Sequence, residues 1–168
     1  ETEEHLRIVF DALGPKFRRL VWVPGNHELY SEPNPAGGIL RGQEKYLRLV
    51  EACRAANVLT PEEPYPVWEG EGGAHLLAPL FLLYDYSFRP AQVRESDAVA
   101  WAMESGLFCS DEMYLDPFPY ASRADWCRAR VEEAAGRLEK APDLPTVLIN
   151  HFPLREQLVR LPMIPRFS

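Results

Sequence analysis

The chain has 168 residues, 46% hydrophobic and 26% charged, with a formal net charge of −7. That is the balance of one ordinary globular domain with a real core. The acidic surplus argues against a broad nucleic-acid-binding surface, and the longest apolar stretch, residues 76–83, is too short to cross a bilayer.

Residues 2–13 read as a helix, with Thr2 as cap, Glu3 and Glu4 at its positive end and Leu6, Val9, Phe10 and Leu13 on one stripe. Gly14-Pro15 stops it, and residues 20–23 follow as a short buried strand. Residues 31–38 have loop composition. A second helix is expected over 42–57, where Tyr46, Leu49, Val50, Cys53 and Ala56 recur at helical spacing. Pro61, Pro64 and Pro66 then mark a linker, and strands 66–70 and 74–84 meet at a glycine-rich turn. The pattern weakens over 87–120, where aromatics are dense, and this segment reads as a cap or an elaborated loop. Residues 123–140 form a helix opened by a Ser122/Asp125 capping box. Residues 146–149 are a buried strand that ends in Asn150-His151-Phe152-Pro153, and the tail carries Arg155, Arg160 and Arg166.

Helices alternating with short apolar strands imply an α/β fold. Each four-residue strand, 20–23 and 146–149, releases a histidine at its carboxyl end. If the two lie parallel in one sheet, His27 and His151 reach the same edge, where α/β proteins gather their ligand sites. Three cysteines without metal-ligand spacing suit a reduced, cytoplasmic compartment, with Cys53 and Cys127 as core residues. His5 and His75 read as structural. The chain has neither a Gly-x-Ser-x-Gly elbow nor a phosphate-binding loop ending in Lys-Ser/Thr.

The chemistry concentrates in Pro24-Gly25-Asn26-His27-Glu28 and in His151. An Asn carbonyl is a hard oxygen donor and a His nitrogen a borderline one, a pair suited to Mn, Fe or Zn. Imidazole also titrates near neutral pH and can protonate a leaving group. Glu28 would orient or charge the ring, and Gly25 would let the backbone come close and bend sharply.

Gly25-Asn26-His27-Glu28 followed by a lone His151 after an apolar strand resembles two of the five signature blocks of the calcineurin-like metallophosphoesterases. The resemblance spans residues 21–153. It implies a four-layer α-β-β-α sandwich and a hydrolase that uses two divalent metal ions (Mn, Fe or Zn) to cleave a phosphate mono- or diester. Asn26 and His151 would bind metal, His27 would meet the phosphate and the leaving group, and Glu28 would support His27. The substrate would be a phosphorylated small molecule or a phosphoprotein, with Arg155 and Tyr86 as substrate contacts and no nucleic-acid or membrane partner. The other three blocks are absent, so a single domain truncated at both ends is expected, inactive by itself. The alternative is a binding scaffold that keeps the fold without the chemistry.

Overall fold

The computed structural model describes residues 3–159 and 166–167. Helix α1 (Glu3–Leu13) forms where its periodicity places it, with Leu6 and Phe10 buried one turn apart. Val9, expected on the same stripe, is exposed, and Thr2 lies outside the described residues. Next, β1 (Glu32–Pro33) and β2 (Ile39–Leu40) close the 31–38 loop as a small antiparallel hairpin. Helix α2 (Gly42–Ala55) buries Tyr46, Leu49, Val50 and Cys53 as expected, and Lys45 with them.

The main sheet has three strands, β3 (Val67–Gly70), β4 (Gly73–Pro79) and β5 (Thr146–Ile149), in that order. The β3–β4 pair is antiparallel and the β4–β5 pair parallel. Gly72 and Gly73 make the hairpin turn at φ +97°, a conformation that strongly favours glycine. A parallel pair needs a long crossover. Here it contains α3 (Ala98–Met103), α4 (Asp111–Tyr114) and α5 (Arg123–Glu139). The expected cap of α5 is in place: Ser122 Oγ accepts the Asp125 N–H at 3.0 Å.

Residues 20–23 depart from expectation. They do not join β5. Val21 makes an isolated parallel bridge to Leu59, the Trp22 N–H donates to Leu59 O at 2.7 Å, and the Leu59 N–H donates to Leu20 O at 3.0 Å. After α2 the chain returns beside 20–22 and takes up their backbone bonds. Strand 74–84 is also shorter than expected, because β5 ends at Ile149 and leaves the later residues no ladder.

The core joins α1, α2 and α5 over the segments between them. Trp126 on α5 is 1% exposed, stacks on Tyr120 at 5.8 Å and meets Phe81 edge-on at 5.1 Å. Cys53 and Cys127 are core residues as expected, and burial pushes their thiols up, to about 12 and about 11. A smaller cluster gathers Tyr86, Ala98, Ala102, Cys109 and Phe167. The fold is therefore mixed α/β. The expected four-layer sandwich is not shown: among the described residues there is a three-stranded sheet and a two-stranded hairpin, and Trp68, Val147 and Leu148 are about half exposed.

Candidate active site

One half of the site is a turn. After buried Pro24 and Gly25, a single 3-10 turn forms over His27–Leu29, with the Leu29 N–H on Asn26 O at 3.0 Å. Leu29 is fully buried and anchors the turn in the core. The Glu28 carboxylate folds back to accept the Gly25 N–H at 3.0 Å. Gly25 is required for room rather than for a left-handed bend. A Cβ there would sit 2.8 Å from Glu28 Oε2 and 3.1–3.2 Å from the His151 ring. Lys45 supports the turn from beneath, donating to Tyr30 O and pairing with Glu32 at 3.4 Å. Burial pulls its pKa down, against the opposing pull of Glu32.

The other half follows β5. The Leu80 N–H still donates to Ile149 O at 2.8 Å. One residue on, a side chain takes the place of the backbone. Asn150 Oδ1 accepts the Leu82 N–H at 3.0 Å, and its Nδ2 donates to Leu82 O at 3.2 Å and to Phe152 O at 2.9 Å. This clamp sends His151 back over Gly25. His151 Nε2 donates to Asn26 Oδ1 at 3.1 Å, joining residues 125 apart in sequence.

Behind Asn26 stands Asp111, a residue that sequence reasoning missed. It is 3% exposed. Its Oδ1 accepts from Asn26 Nδ2 at 2.7 Å and from the Tyr30 hydroxyl at 2.6 Å. Burial, then the bond to Asp111, raises the Tyr30 pKa, so the phenol keeps its proton and donates. Asp111 O in turn accepts from Arg123 at 2.6 Å, and Arg123 pairs with Glu112. Asp111 falls in the patternless 87–120 segment, which offers no local signal for it. Asn150 had one: it sits between the strand and His151.

The structure thus brings Asn26 and His151 together without a shared sheet. His27 is exposed on the same turn, its ring stacked on Tyr30 at 4.8 Å. Arg155 is exposed four residues beyond His151. Tyr86 is buried at φ +60°, and its hydroxyl donates to Glu112 at 2.5 Å. Arg166 donates to Trp101 O at 2.7 Å with its guanidinium over that ring, and Arg160 lies outside the described residues. A largely apolar cavity of about 170 Å³ opens beside Phe152, lined by Leu82, Tyr84, Phe88, Phe152 and Leu154 among others.

An oxygen and an imidazole nitrogen 3.1 Å apart are spaced as two ligands of one first-row ion can be, so the pair fits a metal. Among the described residues, no three His, Cys, Asp or Glu side chains converge to complete such a site.

A mixed α/β chain with His151 just beyond the carboxyl end of a parallel strand, paired with Asn26, has polar groups where α/β proteins gather ligand sites. The comparisons are more specific. The chain is 41% identical over 170 residues to the acyl-carrier-protein phosphodiesterase PptH of Mycobacterium tuberculosis, covering 100% of this chain and 52% of that protein. It is similar to the crystal structure of the phosphopantetheinyl hydrolase PptH from the same organism, with a TM-score of 0.85 and 39% identity over 98% of this chain and 60% of that one. The chain therefore spans about half the length of the curated relative it matches. No family model matches it.

These findings correct the family expectation. The calcineurin-like assignment, drawn from Gly25–Glu28 and His151, gives way to likeness to an acyl-carrier-protein phosphodiesterase. A four-residue block and a distant histidine describe a local turn and its partner; likeness over the whole chain carries far more information.

Proposed function

We propose that this chain carries one side of the catalytic centre of a metal-dependent phosphodiesterase that removes the phosphopantetheinyl group from an acyl carrier protein. The observation that carries the reading is the Asn26–His151 pair, held at 3.1 Å on two separate segments. Likeness to an acyl-carrier-protein phosphodiesterase along the whole chain supports the substrate class.

In this reading Asn26 Oδ1 and His151 Nε2 would hold a divalent first-row ion. When bound, the ion would supply Lewis-acid polarisation of phosphoryl oxygens and activation of water. Two donors account for part of one coordination shell, and among the described residues no cluster of three His, Cys, Asp or Glu side chains completes it. Water would add to phosphorus, releasing one proton to solvent, as the bond to the carrier's hydroxyl oxygen breaks. His27 donates the proton that this oxygen takes up, leaving a free hydroxyl and a phosphomonoester; uptake of a proton from solvent would then restore His27. Glu28 keeps the His27 turn closed through Gly25. The cavity beside Phe152 gives an unbranched arm a place to lie, and exposed Arg155, next to Leu154 of its lining, is the candidate contact for an anionic group. Tyr86 has no role here, since its hydroxyl is taken by Glu112.

The test is mass spectrometry of a phosphopantetheinylated carrier protein incubated with the whole protein and manganese. The expected result is loss of the phosphopantetheine mass, abolished in His151→Ala and strongly slowed in His27→Ala. A carrier left intact under every divalent metal tried would refute the reading, and His27→Ala with unchanged turnover would remove His27 from the reaction. The 168-residue chain alone is expected to bind metal weakly and not to turn over.

A further inference from the structure

We propose that Asp111 is a positioning residue that sets the polarity of the Asn26 amide, so that its oxygen and not its nitrogen faces His151. The inference rests on the proposed metal-dependent function for its purpose, but not for its geometry.

An asparagine amide presents oxygen on one side and nitrogen on the other, and the two have nearly the same shape. Nothing in the residue itself decides which side faces a ligand. Here the decision comes from behind. A carboxylate oxygen of Asp111 stands 2.7 Å from one end of the amide, and the Tyr30 hydroxyl already donates to that oxygen at 2.6 Å. A carboxylate only accepts hydrogen bonds. Turning the amide over would set two acceptor oxygens against each other at that distance, in a place where Asp111 is 3% exposed and water cannot relieve the clash. The NH2 group therefore points at Asp111, and Oδ1 points at His151. The reverse orientation would offer His151 a donor, which cannot bind a cation.

Asp111 is itself fixed. Its backbone oxygen accepts from Arg123 at 2.6 Å, and the α4 segment is tied back when the Ser31 N–H donates to Tyr114 O at 2.8 Å. The device is an outer carboxylate orienting an inner ligand, an arrangement whose loss typically costs 10–100-fold in metal affinity. Its source is the 87–120 segment, so that segment helps to build the site rather than only covering it.

The test uses the whole protein, with manganese alone as the probe, and three forms: wild type, D111N and the exchange N26D/D111N. An amide at 111 offers both a donor and an acceptor, so Asn26 can turn either way. D111N is expected to lose about tenfold or more in manganese affinity by titration calorimetry. A carboxylate at 26 has no wrong way round, so the exchange is expected to restore affinity to at least the wild-type level. A purely structural role for Asp111 predicts no such rescue. Wild-type affinity in D111N, or an exchange variant as weak as D111N, would overturn the proposal. If D111N does not fold, the exchange variant decides alone: wild-type affinity supports the proposal and a tenfold loss overturns it. A second readout needs no metal. Nitrogen-15 NMR of His151 should show the Nε2–H tautomer in wild type and a mixture with Nδ1–H in D111N; an unchanged tautomer in D111N overturns the proposal. Should wild type bind no divalent ion, the metal reading fails and the tautomer result still judges Asp111.

Discussion

Gly25→Ala should separate the chemistry from the stability of this site. The new methyl group would stand 2.8 Å from Glu28 Oε2 and 3.1–3.2 Å from the His151 ring. Carbon atoms rest at about 3.5–4.0 Å, so the ring must retreat by about half an ångström. Glu28 can swing aside, because its reach is flexible. Asn26 cannot follow the ring, because Asp111 holds its other end at 2.7 Å. Stability should change little. Overpacking costs about 1 kcal/mol at the low end of its range, and the restricted unfolded chain returns about 0.4–1 kcal/mol, since Gly25 has no left-handed φ to forbid alanine. The net shift is within about 4 °C in Tm. Activity should fall about 10–100-fold, the usual consequence of misplacing a metal ligand or a reacting group. The assay is kcat/KM for the proposed release of phosphopantetheine from the carrier, beside a thermal melt. Parental kcat/KM in a folded G25A protein would refute the claim that the Gly25 contact sets the site. A Tm loss above about 10 °C would show that the glycine serves the fold instead.

Three further outcomes follow from the packing and the ionic contacts. Trp126→Ala empties the space between Tyr120 and Phe81 and should cost about 3–5 kcal/mol in denaturant unfolding. Lys45→Met should speed hydrogen exchange at Leu29 and Tyr30, because it removes the cation that pairs with Glu32 and bonds Tyr30 O; adding Glu32→Gln should recover part of the loss. Burial pushes the Glu63 pKa up, but its bonds to Thr60 and Arg54 outweigh that and hold it below the ordinary glutamate value. Its stabilising contribution is therefore complete above the unfolded glutamate pKa and is lost as pH falls through the lower folded value. Glu63→Gln should flatten that part of the acid limb in a pH series of melts.

Helices α1, α2 and α5 were legible because each carries its own signal, whereas the short α3 and α4 fall in the segment read as a cap or loop. The Leu6–Phe10 pair, the Tyr46–Cys53 stripe and the Ser122 cap are contained in their own segments. The pairing of residues 20–23 was not legible, since it depends on where the chain returns after α2 rather than on those four residues. Lys45 also breaks the pattern: it lies on an apolar face, and its partners Tyr30 O and Glu32 belong to a loop 13 to 15 residues earlier. Asn26 and His151 stood out because a turn motif and a strand end marked them. Asp111 did not, because nothing around it repeats. The expected route by which the histidine segments meet was also wrong: Asn26 and His151 touch although 20–23 and β5 share no sheet.

That last point bears on how the site keeps its shape. Two donors on segments 125 residues apart are useful only if their separation is fixed before a ligand arrives, since otherwise binding must restrict both. A shared sheet would have done this with ladder hydrogen bonds. In its place, Asn150 carries the β4–β5 pairing one residue past the end of the strand with its side-chain amide, buried Leu29 pins the turn, and Gly25 lets the His151 ring settle against the backbone. Asp111 then fixes the one remaining freedom, the direction of the Asn26 amide. Each of these groups lies outside the pair that would touch the metal. Substitutions among them should therefore weaken the site in different measurable ways: the Asn150 clamp through the position of His151, Gly25 through its distance from Asn26, and Asp111 through the polarity of the oxygen it faces.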